Sequence, residues 1–283
     1  MFNINYYQNM YTHLIISGGG VKATSIIGVL EVLYEKNLLD LKGMIGSSAG
    51  GLICFLLNIG YTYQEMKEIL FSLDFGQYRD IDFSRVLEKW GLDTGLKIMK
   101  LIGSVAKQKD ISPDITFKEL YDKTQQELTL TGSELTKNEA IYFNYHNFPD
   151  MKVLDALRIT ISFPVVFYPI HDKINKKVYV DGAMFNPYPI EYYNDIKEKI
   201  GICLHNSHNI DEIKDGEDYL MSMFNSMQER YEKYYLNKYL NDSIIIDIKN
   251  VHSMSFGIDN NEKMKMYEKG KEITVKYLET HNK

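Results

Sequence analysis

The strongest local pattern in this chain is a serine set between glycines at the junction of two apolar segments. Gly46-Ser47-Ser48-Ala49-Gly50 follows the apolar run at residues 43–46 and leads into a strongly apolar stretch at residues 52–59. A G-x-S-x-G sequence between a strand and a helix is typical of a sharp turn that holds the serine hydroxyl out at the helix N-terminus. Ser48 is therefore the candidate nucleophile, and a plain strand-to-helix turn is the alternative.

A similar unit lies upstream. Residues 12–17 form a short β-branched apolar run, three glycines follow, and residues 21–36 carry apolar side chains at helical spacing. Two strand, turn and helix units in succession predict strands that run parallel, with the helices packed on the faces of the sheet. We therefore predict an α/β fold with a mostly parallel central sheet flanked by helices.

The rest of the chain continues this alternation. Residues 62–108 are helical in pattern and predict a helical insertion after the nucleophile helix. Thr116, followed three residues later by Glu119, indicates the capped start of another helix. Strand-like runs lie at residues 127–135, 140–145, 165–170, 177–180, 200–204 and 243–248, and helical runs at residues 153–161, 218–240 and 261–278. Because no linker-like segment interrupts them, we expect residues 1–283 to form a single domain that includes residues 207–283.

Gly18, Gly19 and Gly20 form the turn after the first predicted strand. Without Cβ atoms, successive amide N–H groups can point at an anion, so this turn is a candidate oxyanion hole. A nucleotide-phosphate loop and a plain flexible turn are the alternatives. The phosphate-loop motif G-x-x-x-x-G-K-[ST] is not matched, since Lys22 comes two residues after the last glycine and Ala23 follows it.

A dinucleotide-binding turn is a second form of the nucleotide alternative. Its G-x-G-x-x-G motif is matched only if Ala23 takes the third glycine position. Folds of this kind also place an acidic residue after the second strand, whereas Asp40 precedes the strand predicted at residues 41–45.

Asp181 begins an Asp-Gly pair at the end of the strand predicted at residues 177–180. A carboxylate at a strand end is well placed to act as a base at a site, although Asp-Gly pairs are also common in plain turns. Asp181 is therefore a candidate base only because Ser48 is also present as a candidate nucleophile.

A histidine triad is an alternative way to activate Ser48. Asp181 and a later histidine would repeat the order Ser, Asp, His of α/β-hydrolases, and the histidines that follow are His205, His208 and His252. In that fold several strands precede the nucleophile, whereas a single strand and helix precede Ser48 here. We therefore expect the two-residue arrangement.

The order of these motifs resembles the patatin-like phospholipases. That family combines G-G-G-x-[RK], G-x-S-x-G, a serine- and proline-containing break that ends in F-x-P, and D-G-[GA]-x-x-x-N-P. In this chain the four motifs lie at residues 18–22, 46–50, 162–169 and 181–187, in that order. The resemblance as a whole covers roughly residues 12–206. The resemblance implies a Ser48–Asp181 dyad, an oxyanion hole at Gly18 to Gly20, no metal or cofactor, and acyl lipids as substrates. Phospholipids, galactolipids and neutral glycerides all remain open.

Three positions depart from the family pattern. Ser17 stands where many members have aspartate, Lys22 where arginine is usual, and Ala183 replaces the second glycine of D-G-G. Lysine keeps the charge of arginine but loses its planar fork. Lys22, beside the glycine turn, is a candidate ligand for a lipid phosphate, and a helix-start cation in an ordinary salt bridge is the alternative.

Charge and hydropathy limit the partners. The 283 residues carry a formal net charge of −6, which argues against nucleic acid, because a surface that tracks phosphates needs a concentrated positive field. Any lipid contact would be led by apolar surface or by local lysine clusters. No secretory leader is recognised and no run approaches the roughly 20 apolar residues of a membrane span, so we expect a cytoplasmic, peripheral protein. Cys54 and Cys203 are expected to be buried thiols.

Two segments are candidates for lipid contact. Residues 62–108 are a candidate lid by position. Loss of lipid-vesicle binding when Met99 and Ile102 are replaced by charged residues would support this role. A helical stripe at residues 219–239 is expected to face the core, with a lipid interface as the alternative. The stripe consists of Leu220, Phe224, Met227, Tyr231, Tyr234 and Tyr235. An activating protein partner and a catalytically silent lipid-binding role are also open.

Overall fold

The computed structural model describes residues 10–205, 213, 216–248, 251 and 257–281. The strands are β1 Tyr11–Ile16, β2 Leu39–Gly46, β3 Gly91–Asp93, β4 Glu127–Glu134, β5 Glu139–Phe143, β6 Val165–Phe167, β7 Ile170–Asp172, β8 Lys177–Asp181, β9 Lys199–His205 and β10 Ser243–Asp247. The α-helices are α1 Thr24–Glu35, α2 Ala49–Asn58, α3 Tyr63–Ser72, α4 Val86–Lys89, α5 Leu96–Gln108, α6 Phe117–Thr124, α7 Val153–Thr160, α8 Gly216–Lys238 and α9 Asn260–Thr280. A 3₁₀ turn, Gly20–Ala23, directly precedes α1.

One large sheet has the strand order β10-β9-β1-β2-β4-β8-β7, with β5 paired to β4. The strands from β10 to β4 run parallel, and β8, β7 and β5 are each antiparallel to the strand they pair with. Ile16 pairs with Gly46, and Gly46 pairs with Leu130. Two residues further along β4, Gly132 faces Asp181. This register brings the turns that follow β1, β2 and β8 together at the carboxyl ends of the parallel strands.

Side chains of the central strands alternate between two cores, as a pleated strand requires. Leu14, Ile16 and Met44 point into the larger core, where α1, α2, α7 and α9 contribute apolar side chains. Ile15 and Ile45 point to the other face, where they meet residues from the segment between β8 and β9 and from the C-terminal part of α8. Helices therefore cover both faces, and the predicted α/β class with a mostly parallel central sheet is confirmed.

Most predicted elements are confirmed to within a few residues. The capped helix predicted at Thr116 is α6, whose capping box joins Thr116 and Glu119 reciprocally. Both cysteines are buried and free. The prediction of an all-helical segment at residues 62–108 is wrong in its middle, where β3 forms and pairs in parallel with β6. The single strand predicted at residues 165–170 is also two strands, because Pro169 lacks an amide hydrogen and lies between β6 and β7.

The stripe on α8 does not face the core along its whole length, contrary to the expectation. Phe224 and Tyr235 are partly buried, whereas Met227 is 65% exposed and Tyr234 is 62% exposed. The side chains of Leu220 and Tyr231 lie outside the described part of the structure. Within the part that the structure describes, no helix combines the length and the apolar character needed to cross a bilayer.

Candidate active site

Ser48 occupies the turn between β2 and α2 and has a backbone conformation that few non-glycine residues adopt. Its φ is 52° and its ψ is −126°, which places it among the strained residues that cluster at functional sites. The flanking glycines make the turn possible. A Cβ at Gly46 would lie 2.4 Å from the Gly50 carbonyl oxygen, and one at Gly50 would lie 2.5 Å from the Ser17 carbonyl oxygen. The result is a serine Oγ held out at the N-terminus of an apolar helix.

Asp181 ends β8 and meets Ser48 directly. The Ser48 hydroxyl donates a hydrogen bond of 2.7 Å to Oδ2 of Asp181, and the Ala183 amide donates one of 2.8 Å to Oδ1. The carboxylate is fully buried. Each carboxylate oxygen thus has one donor, and the oxygen that faces Ser48 is in position to accept its proton.

Burial controls the acidity of this aspartate. It raises the pKa of Asp181 to about 7, and the hydrogen bonds from Ser48 and from the Ala183 amide oppose that rise in part. A carboxylate with a pKa near neutrality is a stronger base than an aspartate in water, so it takes up a proton more readily. The charge state of the Asp181 carboxyl therefore changes close to neutral pH.

Neighbouring strands and α7 hold both residues in place. The Ser133 hydroxyl on β4 donates a hydrogen bond of 2.8 Å to the Asp181 carbonyl. At the end of α7, the Thr160 hydroxyl accepts a 3.2 Å bond from the Ser48 amide, and the Ser162 carbonyl accepts a 3.0 Å bond from the Asp181 amide. Sequence reasoning missed Thr160 and Ser133, because a threonine in a helix and a serine in a strand carry no local motif.

A buried arginine holds Ser162, the residue whose carbonyl accepts the bond from the Asp181 amide. Arg158 on α7 donates a 2.5 Å bond from Nη1 to the Ser162 hydroxyl. Its other nitrogens bond the carbonyls of Thr94 and Tyr168. Burial lowers the pKa of Arg158 to about 10, and the nearby charge of Asp93 acts in the opposite direction. Arg158 therefore ties the segment after β3 to the strand end that carries Asp181.

The glycine turn after β1 lies against Ser48 and against Ala183, two residues after Asp181. A Cβ at Gly18 would lie 3.3 Å from Cβ of Ser48 and 3.1 Å from Cβ of Ala183. The Gly18 amide, however, donates a 2.9 Å hydrogen bond to the Pro187 carbonyl, so it is not free to bind an oxyanion. Of the three glycine amides predicted to bind an oxyanion, those of Gly19 and Gly20 have no hydrogen-bond acceptor among the described residues.

Lys22 and Ser17 are two of the positions that depart from the family pattern. Lys22 is only 1% exposed and is not among the residues that line the cavity beside Ser48. A lipid phosphate in that cavity would not reach its ammonium group, so we do not include Lys22 in the site. The Ser17 hydroxyl accepts a 2.8 Å bond from the Leu204 amide and fastens β1 to β9.

A cavity of about 220 Å³ opens beside Ser48, and Asp181 and Gly20 also line it. Its walls come mainly from apolar side chains of α1, α2, α3 and α5, among them Ile27, Leu52, Leu56, Ile69, Leu101 and Val105. The polar side chains in the lining are Thr24, Ser48, Tyr78, Arg79 and Asp181. Arg79 donates a 2.9 Å bond to Asp93, so its charge is partnered. Such a cavity fits a hydrocarbon chain with its reactive end at Ser48.

The structure gives little support to a histidine triad or to a dinucleotide-binding turn. No described histidine lines the cavity; His205 ends β9, and His208 and His252 lie outside the described residues. Asp40 lies at the start of β2, at the opposite end of that strand from Ser48. Among the described residues, no group of three or more His, Cys, Asp or Glu side chains is arranged to hold a metal ion.

Known proteins resemble this chain along much of its length. Residues 14–193 match the family model described as patatin-like phospholipase. Probable lipid hydrolase 463L of Invertebrate iridescent virus 6 is 30% identical over 270 residues, which cover 93% of this chain and 87% of the viral protein. Triacylglycerol lipase 4 of Saccharomyces cerevisiae is 25% identical over 65% of this chain and 23% of its own length. VipD from Legionella pneumophila superimposes with a TM-score of 0.66 at 15% identity, over 96% of this chain and 67% of VipD.

Proposed function

The chain belongs to the patatin-like phospholipase family, and we propose that it hydrolyses carboxylic esters of acyl lipids with Ser48 as the nucleophile and Asp181 as the general base. The observation that carries this proposal is the 2.7 Å hydrogen bond between the Ser48 hydroxyl and the buried Asp181 carboxylate, beside an apolar cavity. Both names of the relatives, a lipid hydrolase and a triacylglycerol lipase, agree with an acyl ester as the substrate.

In the first step, Oγ of Ser48 attacks the ester carbonyl and Asp181 takes the hydroxyl proton. The pKa of Asp181 of about 7 suits this transfer, since a base works best when its pKa lies near the working pH. When the tetrahedral intermediate collapses, the protonated Asp181 returns the proton to the leaving alcohol. An acyl ester on Ser48 remains, and the alcohol departs.

In the second step, a water molecule takes the place of the leaving alcohol. Asp181 removes a proton from this water, which attacks the acyl carbon, and the proton then passes to Oγ of Ser48 as the fatty acid leaves. Asp181 is ionised at the start and at the end of each step, while the Ser48 proton leaves with the alcohol in the first step and is restored from the water in the second. These proton transfers take place between the two side chains, the water and the reacting oxygens.

The negative charge on the carbonyl oxygen needs donors at both steps. Gly20 lines the cavity with Ser48, and the amides of Gly19 and Gly20 are without an acceptor among the described residues. We propose that these two amides form the oxyanion hole, aided by the positive end of α2, which begins at Ala49. Gly18 positions the turn through its bond to Pro187.

The cavity defines what part of the substrate is recognised. Its apolar walls favour a fatty acyl chain, and its single cationic side chain, Arg79, is partnered by Asp93. We propose that the acyl chain occupies the cavity while the alcohol part of the lipid stays outside. Specificity for a charged head group is then not expected from the cavity itself.

The direct test of this function is fatty acid release by the purified full chain from phosphatidylcholine vesicles, from an emulsion of a triacylglycerol, and from a soluble short-chain acyl ester. The proposal predicts release from at least one lipid as well as cleavage of the soluble ester. If the folded protein cleaves none of them, the isolated chain is not a lipid hydrolase. A requirement for an activating protein, or a silent lipid-binding role, would then be favoured.

We expect kcat/KM for a soluble ester to rise with pH and to level off. Asp181 must be ionised to act as a base, and its pKa is raised to about 7 by burial. The rate should therefore fall about tenfold for each pH unit well below 7 and be constant well above 7. A rate profile in buffers of equal ionic strength checks this, with circular dichroism at each pH as the control for folding. A profile that is flat across neutral pH would contradict the role of Asp181.

A side chain that blocks the cavity should lower the rate of hydrolysis of long-chain esters and leave that of short-chain esters nearly unchanged. Leu56 lines the cavity and lies eight residues beyond Ser48 on α2, about 12 Å along the helix axis at 1.5 Å per residue. We expect Leu56→Trp to lower kcat/KM for a hexadecanoyl ester about tenfold or more, with butanoyl ester hydrolysis changed by no more than about twofold. Leu135→Trp is the control, since Leu135 is 45% exposed beyond the end of β4 and does not line the cavity. Equal losses on both esters would mean that the cavity does not hold the acyl chain.

A further inference from the structure

An exposed apolar ridge lies on the segment between α3 and α5. We define it by five side chains that are large, apolar and open to solvent: Ile81, Phe83, Leu87, Trp90 and Leu96. Leu87 is 91% exposed and Phe83 is 77% exposed. Single exposed apolar residues are ordinary on protein surfaces, but a cluster along one segment marks a site of interaction.

The backbone under the ridge is held in a defined conformation. The Asp82 carboxylate accepts hydrogen bonds from the Ser84 amide and hydroxyl, and α4 follows. β3 then pairs with β6, placing Gly91 beside Val165. The ring of Trp90 lies 5.1 Å from that of His171 on β7. The ridge therefore presents its apolar side chains from a supported segment, and their transfer from water to apolar surroundings would be favourable.

The segment that carries the ridge also contributes to the wall of the cavity at Ser48. Tyr78 and Arg79, just before the ridge, line the cavity, and so does Ile98, two residues after it. Across the β3–β6 pair, Asp93 faces Phe167, which also lines the cavity. The same short segment of chain thus contributes both the exposed ridge and part of the cavity wall.

The ridge segment is also electrically balanced. Residues 79–97 contain four basic residues, Arg79, Arg85, Lys89 and Lys97, and four acidic residues, Asp80, Asp82, Glu88 and Asp93, so their formal charges cancel, whereas the whole chain carries −6. A neutral segment has no net charge to attract an anionic surface. Contact led by leucine, phenylalanine and tryptophan side chains is typical of insertion at the interface of an uncharged lipid layer, where tryptophan prefers the head-group level.

We propose that the ridge inserts into the surface of a zwitterionic phospholipid layer and holds the cavity against it. An acyl chain then passes from the layer into the cavity without the unfavourable exposure of its methylene groups to water. This proposal rests on the proposed lipid hydrolase function and adds the surface through which the substrate is reached.

Flotation of the full chain with phosphatidylcholine vesicles tests the proposal, using Leu87→Glu as the ridge variant. Leu87 makes no part of the cavity lining and is nearly fully exposed, so the fold should tolerate the change. Loss of one inserted leucine and gain of a charge should raise the lipid concentration for half-maximal binding about tenfold or more. Binding by the wild type should change little between low and high salt, because the ridge segment is neutral.

Val275→Glu is the matched control. Val275 is 39% exposed on α9. Two residues further on, Tyr277 bonds the Asn241 carbonyl beside β10, and β10 is at the opposite edge of the sheet from β7, which Trp90 contacts. Six strand spacings of about 4.8 Å separate those edges. This variant should bind vesicles as the wild type does.

The outcomes separate this proposal from the proposed function. Hydrolysis of a soluble short-chain ester reports the chemistry alone, and we expect it to be the same in the wild type, Leu87→Glu and Val275→Glu. If the wild type cleaves the soluble ester but does not bind the vesicles, or if Leu87→Glu binds them as well as the wild type, the ridge proposal is overturned. If light scattering shows a wild-type dimer that Leu87→Glu dissociates, the ridge is a contact between copies and the proposal is also overturned. Failure to cleave the soluble ester would instead contradict the proposed function.

Discussion

Replacing Ser48 with alanine is expected to lower kcat for a soluble acyl ester by about 10³ to 10⁶, because the nucleophile is removed and only binding and the oxyanion donors remain. The fold should persist. The Ser48 hydroxyl has Asp181 as its partner, and its loss leaves a carboxyl that can stay protonated near neutral pH. Initial rates on the purified variant measure the effect, and its circular dichroism spectrum checks that it is folded.

The neighbouring serine provides a matched control. Ser47 is fully buried, and its hydroxyl has no hydrogen-bond partner among the residues that the structure describes. Ser47→Ala removes the same atom one residue away and should keep the rate within a few-fold of the wild type. If Ser47→Ala loses activity as strongly as Ser48→Ala does, the turn rather than the Ser48 nucleophile would account for the loss.

Replacing Asp181 with asparagine should lower kcat by about 10³ to 10⁴, by analogy with the loss of the acidic member of serine hydrolase triads. The amide oxygen can keep the hydrogen bond from the Ala183 amide, which now ends on Oδ1. The amide nitrogen then faces Ser48, and it cannot accept the hydroxyl proton. Asp155→Asn, an exposed aspartate on α7, is the control and should leave the rate unchanged.

The same substitution should raise stability at alkaline pH. The folded-state pKa of Asp181 is about 7, above the value of about 3.9 in an unfolded chain, so the folded protein binds this proton more tightly. The stabilising effect of the proton is complete below about pH 4 and is lost as the pH rises through 7. At 1.36 kcal/mol for each pKa unit, the ionised carboxylate then lowers the free energy of unfolding by roughly 4 kcal/mol.

Asp181→Asn avoids that loss. Its free energy of unfolding in urea should exceed that of the wild type above about pH 8, by an amount of order 1 to 4 kcal/mol, and the difference should shrink towards pH 5. A variant that is inactive and also less stable than the wild type at pH 8 would show that Asp181 acts through structure and not as a buried base.

The parts of the site that the sequence predicted are those with short local motifs. The elbow at Ser48 needs small flanking residues within two positions on either side, and the turn at Asp181 follows a short run that contains Val178, Tyr179 and Val180. Both leave a readable pattern. The central sheet was predictable for the same reason, since each parallel strand is a short buried run that ends in a turn.

The parts that could not be predicted depend on contacts between distant segments. Thr160 and Ser133 reach the dyad only after α7 and β4 have packed beside β2 and β8. The Gly18 amide is taken by the Pro187 carbonyl, 169 residues away in sequence. Burial of Lys22 likewise follows from the packing around the start of α1, which its neighbours in sequence do not reveal.

The segment after α3 shows a third kind of limit. β3 has only three residues, Gly91–Asp93, too few for a period-two pattern to stand out from the helical spacing around it. It forms because β6 supplies a partner strand from elsewhere in the chain. Pairing of this kind is a tertiary effect, and it also sets the position of the exposed ridge.

Covalent labelling of the chain with a fluorophosphonate ester, followed by mass spectrometry of the intact protein and of its peptides, tests the central claim most directly. A serine activated by a buried carboxylate attacks phosphorus and retains the label, whereas an ordinary serine does not react. We expect a single adduct that maps to Ser48, none on Ser48→Ala, and greatly slowed labelling of Asp181→Asn. An unlabelled Ser48 in a chain that cleaves acyl esters, or an adduct on another residue, would contradict it.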